Sequence, residues 1–75
     1  MPLAYQGILK TLDPELQVTV ASVYLKLMQR AGEQNLSAEE LDKTRDLIAR
    51  RLLFLARDGE QDASVLEAKA EASLF

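Results

Sequence analysis

Residues 36–57 read LSAEELDKTRDLIARRLLFLAR, and this stretch decides the fold. Ser37 stands where an N-cap oxygen is wanted, and Glu40 three residues on completes a capping box. Leu36 before the cap and Leu41 at the fourth helical position make the matching hydrophobic staple. Leu41, Thr44, Ile48, Leu52 and Leu55 then recur at steps of three and four, which lines one helix face. Asp46 precedes Arg50, and Glu39 precedes Lys43, in the acid-first (i, i+4) order that supports an exposed helix surface. Arg57 lies near the end, and Asp58-Gly59 supplies the stop. The spacing predicts a helix over residues 38–57.

Upstream, Asp13-Pro14-Glu15 offers an N-cap oxygen, a proline at the first helical position and an acid on the positive dipole end. Leu16, Val20, Val23 and Leu27 line one face, and Ala21, Tyr24, Met28 and Ala31 form an adjoining row. Arg30 falls in the last turn, with Gly32 placed for a left-handed cap. The β-like alternation Gln17-Val18-Thr19-Val20 is outvoted by this longer capped pattern, so residues 14–31 read as helix. Only Gly32 to Leu36 separate the two helices, and so short a connection predicts an antiparallel helical hairpin.

The ends carry weaker patterns. Residues 1–12 read as an N-terminal arm or short helix on Ala4, Ile8 and Leu12, weakened by Gly7. Residues 62–75 read as a C-terminal helix, with Ser64 and Glu67 at capping-box spacing and Leu66, Ala70 and Leu74 on one side. Nothing divides the chain, so 1–75 reads as a single small helical domain.

The apolar rows are broader than a hairpin covers. Leu47 and Phe54 run beside Ile48, Leu52 and Leu55, Leu53 points elsewhere, and Val18 and Leu25 fall outside both rows of the first long helix. This surplus predicts self-association. The expected fold is all-α, an antiparallel helical hairpin with short helical N- and C-terminal segments, paired into a dimeric four-helix-type bundle. The alternative is a monomer in which residues 3–12 and 63–75 act as lids. The interaction residues expected from the rows are Val20, Val23, Tyr24, Leu27, Leu47, Ile48, Leu52, Phe54 and Leu55.

Composition excludes much chemistry. The 75 residues include no cysteine and no histidine, which removes disulfides, thiolate zinc sites, thiol nucleophiles and the commonest general base. No Gly-rich phosphate loop or Ser-x-x-Lys pair occurs, and Glu39, Glu40 and Asp42 suit a helix start without any chemistry. The reading is therefore no enzyme, with no catalytic residue, cofactor or metal. Tyr24 falls in an apolar row and reads as core.

Twelve acids against nine bases leave a small acidic protein of net charge −3, which disfavours an overall nucleic-acid binder. Charge is segregated, however. Lys43, Arg50 and Arg57 are seven apart on one stripe, with Arg51 beside it, and these four form a candidate anion patch. The plainer reading is a solvated face whose cations suit a helix C-terminus. The start Met1-Pro2-Leu3-Ala4-Tyr5 has no basic region or long apolar run, so no signal peptide is expected. No stretch is long enough for a membrane span, and cytoplasmic residence is expected by default.

The last five residues are Glu71-Ala72-Ser73-Leu74-Phe75. They resemble the tail peptides of bacterial sliding-clamp binders, whose pattern is Gln-x-x-Leu-Phe. Glu71 stands where glutamine is expected and Ala72 where leucine is common. The resemblance implies a docking tail at Leu74 and Phe75, and the alternative is that both side chains close the core. The function expected is a small non-enzymatic protein–protein interaction module (regulator, adaptor or inhibitor) with itself and an unidentified protein as partners. The alternatives are a nucleic-acid-binding accessory protein or a structural subunit of a larger assembly.

Overall fold

Four helices follow one another in the computed structural model, which describes residues 3–74. They are α1 (Leu3–Leu9), α2 (Pro14–Gly32), α3 (Ala38–Arg57) and α4 (Ala63–Leu74). Among the described residues there is no strand. The radius of gyration is 11.6 Å, close to the roughly 11 Å of a compact chain of this length.

Local chemistry sets the helix ends. At α3, the Ser37 side chain accepts from the Glu40 N–H at 3.2 Å, and Glu40 Oε1 accepts from the Ser37 N–H at 3.4 Å. This reciprocal pair satisfies two donors that a helix start would otherwise leave open. Past the end of α3, the Glu60 N–H bonds the Leu55 carbonyl and the Gly59 N–H bonds that of Ala56. With Gly59 at φ 102° this is a Schellman stop, in a conformation a β-carbon would strain.

Elsewhere the caps differ from the expected ones. Asp13 precedes α2 but its side chain makes no cap hydrogen bond, and Gln17 Nε2 instead donates to the Leu12 carbonyl at 2.8 Å. Gly32 is the last helical residue of α2, not its left-handed cap. The positive φ, 60°, falls at Asn35, a residue type whose short polar side chain tolerates that region. At α4 the cap is Asp62, whose Oδ1 accepts from the Ser64 and Val65 N–H groups, so the box read at Ser64 and Glu67 is displaced by two residues.

The core closes within one chain. Val20, Val23, Tyr24 and Leu27 from α2 meet Ile48, Ala49, Leu52, Leu53, Leu55 and Ala56 from α3 and Leu66 and Ala70 from α4. Tyr5, Ile8, Leu9 and Leu12, along α1 and just after it, pack partly buried against this cluster. α3 touches all three other helices, and α4 touches both long ones. The terminal helices therefore cover part of the apolar surface that the sequence assigns to an intermolecular bundle, Leu53 included, while Val18, Leu25, Leu47 and Phe54 stay exposed. Leu53, which the helix period sets apart from the main row, is buried because the other helices together close around more than one side of α3.

Polar contacts tie the terminal helices down. The Tyr5 hydroxyl donates to Asp46 Oδ1 at 2.7 Å, and Arg50 donates to the Tyr5 hydroxyl at 3.4 Å and to Asp46 Oδ2 at 3.1 Å. Arg30 on α2 pairs with Glu71 on α4, and Lys69 pairs with Glu60 in the connection before α4.

Candidate interaction surface

Burial divides the expected interaction residues into two sets. Val20, Val23, Tyr24, Leu27, Ile48, Leu52 and Leu55 are buried in the chain's own core. They are spent on packing and present nothing to a partner, because a side chain already closed off from water gains nothing more by docking. Leu47 and Phe54 remain, with 47% and 58% of their surface exposed. At about 100° per residue both lie on the side of α3 opposite its buried stripe. Val18 and Leu25, 67% and 66% exposed, hold the corresponding outer position on α2. Sequence periodicity sets Val18 and Leu25 apart from the core rows, and it sets Leu47 and Phe54 in a row beside Ile48, Leu52 and Leu55 without showing which side another helix covers.

The α3 face is a continuous strip. Asp42, Lys43, Asp46 and Leu47 border one open depression. Leu47, Arg50, Arg51, Phe54 and Ser73 border the next, about 340 Å³ in volume, where α4 flanks α3. Beyond Phe54 a smaller depression of about 120 Å³ is bordered by Tyr5, Ile8, Arg50, Leu53, Phe54 and Arg57. Phe54 is thus a ridge between two grooves, one on the α4 side and one on the α1 side.

The four candidate anion-binding residues are not equivalent. Lys43 lies 3.9 Å from Glu39, an exposed pair of little energetic weight. Arg50 is held by Asp46 and Tyr5, and the hydrogen bond to Tyr5 is the first cause of a guanidinium pKa raised above its ordinary value. Arg51 is half-buried, and its Nε is shielded without a hydrogen-bond partner among the described residues. Arg57 is exposed at the far end of the strip. The structure brings all four to the border of the exposed Leu47–Phe54 ridge, alternating with apolar side chains, and does not gather them at one point.

The docking tail expected at Leu74 and Phe75 lies outside the described residues, apart from the backbone of Leu74, which ends α4. Among the described residues, no group of three or more acidic side chains is placed to hold a metal ion, and no helix is long and apolar enough to cross a membrane. No protein-family model, no curated protein and no solved structure matches the chain.

Proposed function

We propose that this chain is a small non-enzymatic interaction module that presents the outer face of α3 to a protein partner. The observation that carries the reading is the exposure of Leu47 and Phe54 on a helix whose other large apolar side chains are closed inside, at Ile48, Leu52, Leu53 and Leu55, or half-buried, at Leu41. Two large side chains one heptad apart, with shallow grooves beside them, are what a helix face needs to seat a second element.

The test is a photo-crosslinking amino acid installed at position 54 in the source organism, with position 33 as a polar exposed control. A defined crosslinked protein at 54 and none at 33 supports the reading. Absence of any crosslink at 54 and 47 overturns it.

A second reading concerns self-association, with α2 and α3 taken as an antiparallel hairpin. Val18, Ser22 and Leu25 make an exposed, uncharged strip on α2. Two copies crossing there in antiparallel register set Val18 against Leu25 of the mate, with no like charges meeting at the centre. The dimer proposed here uses this outer face rather than the core rows.

A further inference from the structure

We infer that the α3 strip takes an acidic amphipathic helix of a partner protein, laid along Lys43 to Arg57. The inference rests on the interaction reading above and names the partner's chemistry. Lys43, Arg50 and Arg57 recur every seven residues, and Leu47 and Phe54 recur every seven between them. Two interleaved rows with that period are the seam a second helix follows at a shallow crossing angle. Between Lys43 and Arg57 the strip rises about 21 Å, at 1.5 Å per residue, so a partner helix of about four turns spans it.

Charge decides the partner's sign. Asp46 already accepts from Tyr5 and Arg50, so its carboxylate is satisfied within the chain. No carboxylate among the described residues pairs with Arg51 or Arg57. The half of the strip around Phe54 is therefore cationic on a chain whose net charge is −3. Glutamates on a partner helix reach Arg50, Arg51 and Arg57 while its apolar side chains enter the grooves on either side of Phe54.

A second copy of this chain is the wrong occupant. The two-fold pairing of the strip that sets Leu47 against Phe54 also sets Arg50 against Arg51 at its centre, cation upon cation. A polyanion with evenly spaced phosphates meets Asp42 and Asp46 along the same border. A helix with discrete carboxylates places them only where the cations are.

The test uses the full chain, isotope-labelled, titrated with two synthetic helix-forming peptides of equal apolar pattern. One carries glutamates flanking heptad-spaced leucines, the other lysines. The expected result is about tenfold tighter binding of the glutamate peptide, with resonance shifts confined to the outer positions between Lys43 and Arg57 and to the groove borders at Tyr5, Ile8 and Ser73. That affinity falls about tenfold as salt rises from roughly 0.05 to 0.5 M, as screening of exposed charges requires. The double reversal Arg50→Glu with Arg57→Glu, checked for helicity by circular dichroism, inverts the preference. Equal binding of both peptides, a preference that survives the reversal, or tighter binding to anionic vesicles or duplex DNA than to the glutamate peptide each overturn the inference. If one of these occurs while position 54 still crosslinks a protein in cells, only the partner's chemistry is wrong. If the crosslink is also missing, the interaction reading fails with it.

Discussion

The Tyr5 hydroxyl donates to Asp46 Oδ1 at 2.7 Å across 41 positions of sequence, joining α1 to the middle of α3. Arg50 closes the triangle by donating to both. A seven-residue helix is far too short to persist alone in water, so α1 depends on this bond and on the packing of Tyr5 and Ile8. Tyr5→Phe keeps the ring and removes the donor. The expected loss is about 0.5–1.5 kcal/mol, with faster amide hydrogen exchange confined to α1. Unchanged exchange there would mean packing alone holds the helix.

Leu52 and Phe54 are close in sequence and opposite in consequence. Leu52 is fully buried between α2, α3 and α4, so Leu52→Ala is expected to cost about 2–5 kcal/mol. Phe54 faces outward, and Phe54→Ala is expected to stay within about 0.5 kcal/mol. Urea unfolding of the two variants measures the contrast. A large loss at Phe54 would place it in the core.

Glycine substitution separates two backbone conformations. A β-carbon at either Gly32 or Gly59 meets nothing within 4 Å, so packing does not distinguish them. Gly32 is helical, and Gly32→Ala is expected to stabilise by about 0.5–1 kcal/mol. Gly59 sits at φ 102°, and Gly59→Ala is expected to destabilise by about 1–2 kcal/mol. Thermal melts of the pair read the opposite signs directly.

Alkaline pH acts through Tyr24. Burial raises its phenol above the ordinary value of 10.0, and the nearby Arg45 charge opposes this. The unfolded chain therefore loses this proton first. The contribution is intact below about pH 10 and is lost as pH rises through the folded value. Above pH 10, the unfolding free energy of the wild type should fall more steeply than that of Tyr24→Phe, as parallel urea titrations would register. Parallel slopes would show that the phenol is solvated.

Self-association has its own signature. Light scattering is expected to give a mass near twice 8.4 kDa for the wild type, reverting to the single-chain mass in Leu25→Glu. A wild type that stays monomeric at high concentration removes the α2 contact.

Taken by itself, the sequence determined where helices begin and end, because capping is a local exchange between a side chain and backbone a few residues away. Ser37 with Glu40, and Gly59 after Arg57, carry that information within one turn. Even there, Asp62 in place of Ser64 and Asn35 in place of Gly32 depended on how the connections between helices were drawn. On α3, it was the tertiary structure that decided which apolar side chains remain outside. Leu53 and Phe54 are adjacent and equally apolar, yet one is 2% exposed and the other 58%. Helical periodicity orders side chains around an axis, but it carries no record of which sides another helix will cover. The approach of α1 and α4 to α3 settled that, burying Leu53 and leaving Leu47 and Phe54 between the cations.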